Sequence, residues 1–133
     1  MNMIKTVILF AALVVFVFSS CKKEDTTPPG ITITAPVEGQ NLPYLDVRAN
    51  YGDYYLETAE LTVVKHATGE QLSRIFNKYG TNSFDSETAG EFNVGYKSSD
   101  LGVITATELD VNFIVSDAYG NVTRKTVHCT VTP

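Results

Sequence analysis

Apolar and polar residues alternate with a period of two through most of the chain from Ile31 to Pro133. Successive side chains on a strand point to opposite faces, so this pattern predicts strands with one face buried. Ile31, Ile33 and Ala35 share a face of a first strand, which residues 36–39 end with a Pro and a Gly. Leu45, Val47, Ala49 and Tyr51 share a face of a second, opposite Asp46, Arg48 and Asn50. Residues 61–65 read as a third strand closed by a turn at 67–70, and residues 71–76 as a fourth. Phe92, Val94 and Tyr96 then align on one face, with Glu91, Asn93 and Lys97 on the other. In the last third, Leu109, Val111, Phe113 and Val115 face inward and Glu108, Asp110 and Asn112 outward. The chain returns after 116–121 with Val127, Cys129 and Val131 inward, which predicts a closing antiparallel hairpin with Gly120 at the positive-φ position of its turn.

Between the fourth and fifth strands, residues 77–90 are polar, with Tyr79 and Phe84 as the sizeable apolar groups. A connection of this length is uncommon inside a compact domain and is usually either functional or mobile. About seven short antiparallel strands, with no amphipathic helical pattern between them, predict an all-β fold in which two sheets pack face to face. Residues 29–36, the Leu45-Val47-Ala49 strand and the stretch Val-Ser-Asp-Ala-Tyr-Gly-Asn at 115–121 resemble bacterial Ig-like domains, particularly those of lipoprotein families with no assigned activity. The resemblance spans most of residues 29–133 and implies an Ig-like antiparallel β-sandwich. It speaks to fold and not to chemistry. The chain has no Trp, so the Cys-Trp-Cys core of antibody domains is absent.

The first twenty residues follow another pattern. Lys5 supplies a positive start, Val7 to Phe18 is unbroken hydrocarbon, and Ser19 and Ser20 precede Cys21. The apolar run falls within the ~7–15 residues of a signal peptide and short of the ~20 that a spanning helix needs. This is the layout of a bacterial lipoprotein signal peptide over residues 1–20, with Cys21 as the lipidated mature N-terminus. Lys22-Lys23-Glu24-Asp25 resembles the export signal of Bacteroidetes-type surface lipoproteins, and implies a lipid-anchored, surface-exposed protein of the outer membrane, the alternative being an outer-membrane lipoprotein that faces the periplasm. With no large apolar side chain and a proline pair, residues 21–30 are expected to form a flexible tether. The Ig-like domain is then expected over 31–133.

Loss of residues 1–20 removes Lys5 and no acid, which takes the net charge from −5 to −6. An acidic surface repels phosphate backbones, and nucleic acid is not expected as a partner. Lipidation of Cys21 leaves Cys129 alone, so the fold is expected to stand without a disulfide.

Candidate chemistry is sparse. His128 and Cys129 are neighbours on a strand and point to opposite faces, which keeps them from sharing one metal ion. His66 reads as a solvated strand end, and Cys129, alternating with Val127 and Val131, as a core thiol. Glu108 and Asp110 lie on one outward face about 7 Å apart, a spacing that superficially suits glycoside hydrolysis but is ordinary solvation without a groove. Asp117 and Asn121, with Asp53, are minor calcium candidates, against the simpler reading that Asp and Asn lock turns through their own backbone. Tyr51, Tyr54 and Tyr55 are the concentrated aromatics and the candidate ligand-binding residues, by stacking on a sugar or anchoring a protein, against the simpler reading that they pack over the end of the sandwich. The chain is therefore expected to be a non-catalytic binding or adhesion module for a protein or glycan, held to the membrane by lipid and needing no cofactor. The alternative is a structural accessory subunit of an outer-membrane complex.

Overall fold

The computed structural model describes residues 24–80 and 87–133. The expected signal peptide, Cys21 with Lys22 and Lys23, and residues 81–86 of the long connection lie outside the described residues. Among those described, eight strands form two sheets: β1 (Gly30–Ala35), β2 (Gln40–Leu42), β3 (Tyr44–Asp53), β4 (Leu56–Lys65), β5 (Gln71–Lys78), β6 (Thr88–Lys97), β7 (Thr107–Asp117) and β8 (Val122–Val131). One sheet has the order β1-β3-β6 and the other β2-β8-β7-β4-β5. The architecture is all-β and two-sheeted, broadly consistent with an Ig-like sandwich. No helix among the described residues is long and apolar enough to cross a membrane.

The alternation read from the sequence is what closes the sandwich. Leu109, Val111, Phe113 and Val115 of β7 are fully buried, as are Leu45 and Val47 of β3 and Ala59, Leu61 and Val63 of β4 to within 1 %. Phe92 joins the two sheets, its ring 4.9 Å from that of Tyr51 and 6.1 Å from that of Phe113. Each such side chain contributes about 1.5–3 kcal/mol by leaving water. Leu101 and Val103, from the 98–106 connection, plug one end of the core.

Two strand expectations need correction. An eighth strand, β2, is present, and it pairs parallel to β8, with Gln40 opposite Cys129 and Leu42 opposite Val131. Its three residues carry no alternation because neither face is buried deeply; backbone bonds define it. Gly39 N donates to the His128 carbonyl and Thr132 N to the Leu42 carbonyl, each at 2.8 Å. Residues 36–39 thus carry the chain from one sheet to the other, with Gly39 at φ 74°. The connection expected at 77–90 is also shorter, because β5 runs to Lys78 and β6 starts at Thr88.

The segment expected to be a tether is tied to the body from Asp25 onward. Asn121 Nδ2 donates to the Asp25 carbonyl at 2.9 Å, Thr123 Oγ1 to that of Pro29 at 2.6 Å, and Lys125 Nζ to that of Ile31 at 2.6 Å. Pro29 is buried. Backbone carbonyls that meet donors on β8 and on the turn before it hold the segment without any large apolar side chain, which is why its composition did not announce it. The strand register then assigns the connections to two ends. The 54–55 and 118–121 connections, the end of β5 and the start of β6 gather where the segment from Asp25 joins, and the 36–39, 66–70 and 98–106 connections gather at the far end.

Candidate functional site

The joining end carries a cluster of tyrosines and carboxylates. Between β3 and β4 the chain turns at Tyr54 and Tyr55, fixed by Asp53 Oδ2, which accepts from Tyr55 N at 3.1 Å. Between β7 and β8 it turns at 118–121 around Asp117, whose Oδ1 accepts from Tyr119 N at 2.9 Å and from Asn121 N at 2.8 Å. The backbone bond from Ala118 N to the Tyr55 carbonyl, at 2.8 Å, locks the two turns together. As a result the rings of Tyr55 and Tyr119 meet edge to face at 4.8 Å. Tyr54 remains 56 % exposed and Tyr119 42 %. A hollow of about 400 Å³ beside them is lined by Glu24, Asp25, Thr26, Thr27, Asp53 and the two tyrosines of the first turn.

The three candidate tyrosines therefore separate. Tyr51 is 3 % exposed, on the inward face of β3, and is part of the core; its alternation with Leu45, Val47 and Ala49 carried that signal. Tyr54 and Tyr55 are at the surface, and Tyr119, whose place in the 118–121 turn gave no sign of it in the sequence, joins them.

Asp117 and Asn121 do come together with Asp53, and Asp25 completes the group: one carboxylate oxygen from each of Asp25, Asp53 and Asp117 lies within 4.8 Å of the others. Oxygen donors alone suit a hard cation such as calcium, which takes six to eight of them. Three carboxylates fall short of that number, and local bonds already occupy Asp117. Asn121 Nδ2 donates to its Oδ2 at 2.7 Å, in addition to the two amides on Oδ1. These bonds give Asp117 and Asn121 a turn-locking role that stands without an ion. Burial pushes the Asp53 carboxyl above its ordinary range, the charges of Asp117 and Asp25 push it further, and the Tyr55 amide pulls it back in part.

The far end holds the other group. Asp110 and His128 are directly opposite across the β7–β8 ladder, and His128 Nδ1 lies 2.5 Å from Asp110 Oδ1. His66 follows β4, where its N–H donates to the Glu108 carbonyl at 3.0 Å. Its ring reaches diagonally to Asp110, with Nδ1 2.8 Å from Oδ1 and 3.0 Å from Oδ2. Burial alone would raise the Asp110 carboxyl, but the hydrogen bonds from His128 and His66, with the charge of both rings, outweigh it and hold the group low. The same bond raises the His128 imidazole, against a smaller effect of desolvation, and the carboxylates of Glu38 and Glu108 add to the rise. A hollow of about 370 Å³ at this end is lined by His66, Asp110, His128 and Glu108, the other member of the spaced carboxylate pair, but Asp110 is engaged by two imidazoles.

Cys129 is 3 % exposed and unpaired, as a core thiol. Burial, then the charges of Asp110 and Glu38, push its pKa up to about 11. His128 and Cys129 do point to opposite faces. What the sequence did not show is that His128 meets His66, because that depends on two strand registers at once. Comparison with protein-family models and with curated proteins found no match to this chain.

Proposed function

We propose that this chain is a lipid-anchored, non-catalytic binding module of the outer membrane, and that Tyr54, Tyr55 and Tyr119 form its contact surface for a protein or glycan. The observation that carries this reading is the convergence of the three tyrosines from two turns locked to each other by the Ala118–Tyr55 backbone bond. Tyrosine offers large contact area at small cost in side-chain entropy, and a rigid turn pair presents it ready-made.

The path of the chain adds direction. Cys21 precedes Asp25 by four residues, at most about 14 Å of extended chain, and Asp25 is bonded to Asn121 beside the tyrosines. Acyl chains on Cys21 therefore hold the tyrosine end toward the bilayer. A protein partner on the same membrane fits this orientation better than a soluble ligand arriving from outside.

A photo-reactive amino acid at position 54 tests the reading in cells. It is expected to capture one discrete partner, with capture lost when Tyr119→Ala is added. The same probe at Ile104, on the opposite end and 89 % exposed, is expected to capture none. Capture from position 104 alone, or from neither, would overturn it. The short lead from Cys21 to the tyrosine end also favours a second reading, a structural accessory subunit of an outer-membrane complex, for which the partner would co-purify in fixed stoichiometry through detergent extraction. Intact mass of the native protein tests the anchor itself, since an unmodified Cys21 sulfur would end both readings.

A further inference from the structure

The two histidines of this chain are 62 positions apart in sequence, yet both bring Nδ1 to one carboxylate. We propose that His66, His128 and Asp110 form a binding site for a zinc-type divalent transition-metal ion at the far end of the sandwich, independent of the tyrosine surface and of the anchor.

The donor set argues for the class of ion. One donor atom from each of the three residues lies within 4.8 Å of the others. Two imidazole nitrogens with one carboxylate oxygen suit zinc and its neighbours, whereas calcium and magnesium take oxygen. Bonds of ~2.0–2.2 Å to a tetrahedral ion set its ligand atoms ~3.3 Å apart. The present separations of 2.5 and 2.8 Å between Asp110 Oδ1 and the two ring nitrogens are those of hydrogen bonds. Exchanging the bridging protons for a metal ion therefore asks the rings to open by under about 1 Å, and the two rings, nearly perpendicular with centroids 5.3 Å apart, converge from different sides.

The setting supports the same assignment. Asp110 and His128 project from adjacent strands as directly paired residues, and the His66 backbone is fixed to Glu108; ligands on paired strands are placed more firmly than ligands on loops. Both imidazoles are about half exposed and open into the hollow, so an ion can reach them. Glu38 Oε2 accepts from His128 N at 3.0 Å, and the charges of Glu38 and Glu108 both act on the His128 ring. Extra negative charge around an open three-ligand site favours a dication and leaves the remaining coordination positions to water. Exposed ion pairs contribute little to stability, so fold stability gives little reason for this convergence.

The test is a zinc titration of the full chain in detergent, carrying Cys21→Ser to remove the competing thiol. One saturable site is expected at pH 7.5, with a Kd on the order of 10 μM or tighter. His66→Asn and His128→Asn should each weaken it by roughly tenfold or more, a tenfold excess of calcium should not displace zinc, and both histidine ring signals in the NMR spectrum should shift with the same stoichiometry. The substituted side chains are exposed, and unchanged circular dichroism will confirm folding. Equal zinc binding by the wild type and the His66→Asn/His128→Asn double variant, ring signals that do not move, or no saturation by about 1 mM zinc would each overturn the proposal.

Discussion

The hydroxyls of Tyr51 and Tyr79 meet at 2.5 Å, and Asn77 Nδ2 donates to that of Tyr51 at 3.1 Å. The pair ties the buried end of β3 to the start of the 79–87 connection, with the two rings edge to face at 6.1 Å. Each phenol is satisfied by the other, which lets two polar groups sit against the core beneath the tyrosine surface.

That pairing has an alkaline signature. Burial, then the bond and charge of Tyr51, push the Tyr79 phenol up to about 12 from an ordinary value of 10.0. The folded state keeps the proton after the unfolded chain has lost it, so this contribution to stability is whole below pH 10 and drains away as pH rises toward 12. A plot of Tm against pH should bend downward above pH 10, and Tyr79→Phe should remove part of the bend. Spectrophotometric titration should show one late phenol missing from that variant. A Tyr79→Phe profile parallel to wild type throughout would refute the assignment.

Gly90 makes room for the same pair. It is opposite Tyr51 in the β3–β6 ladder, and a Cβ there would lie 2.4 Å from Tyr79 Oη and 2.5 Å from Tyr51 Cε2. Tyr51 cannot yield easily because its ring is packed against that of Phe92, the two tilted at 45° with centroids 4.9 Å apart. Gly90→Ala is expected to cost about 1–3 kcal/mol, as overpacking does, while the same change at Gly95, where a Cβ would meet nothing within 4 Å, should cost under about 1 kcal/mol. Chemical denaturation of the two variants checks the contrast.

Tyr51 also shows what the sequence made legible and what it did not. Its place in the Leu45-Val47-Ala49 alternation located it inside the sandwich, just as the runs ending β7 and β8 located Phe113 and Cys129; period-two patterning reports a face. Register is a separate quantity. That Asp110 stands opposite His128 depends on a five-residue connection between the paired ends Ser116 and Val122, and the approach of His66 requires the β4–β7 register as well. Polar β2 and the segment from Asp25 to Pro29 are held by backbone partners, which leave no mark in hydrophobic pattern. The sandwich was thus readable, as were Tyr54 and Tyr55 of the joining end, whereas the approach of Tyr119 to them and the His66–Asp110–His128 group, assembled from turns and cross-strand neighbours, were not.

Cys129 should be inert in the folded protein. With its pKa pushed up to about 11, roughly one thiol in a thousand is thiolate at pH 8, and the thiolate is the reactive form. In a Cys21→Ser background, the native chain is expected to react with a disulfide reagent at least about a hundredfold more slowly than free cysteine, whose thiol ionises near 8.5, and denaturant should restore the ordinary rate. Fast labelling without denaturant would show that the β8 face opens on the time scale of the reaction.

Asp53 offers the opposite kind of change, a substitution that should stabilise. It is 7 % exposed, with the carboxylates of Asp25 and Asp117 beside it. Because burial and those two charges raise its pKa in the folded state, the favourable protonated form is retained at low pH, and stability falls as pH rises through that pKa. Asp53→Asn removes one of three like charges and keeps an oxygen to accept from Tyr55 N. The expected gain at pH 8 is on the order of 1 kcal/mol, a Tm increase of roughly 4–8 °C for a domain of this size, shrinking toward zero near pH 3, below the ordinary 3.8 of this side chain, where a proton neutralises the wild-type carboxylate. Paired melting curves at the two pH values decide it: a lower Tm for the variant at pH 8 would show that the third negative charge is required there, and that repulsion is not what this cluster contributes.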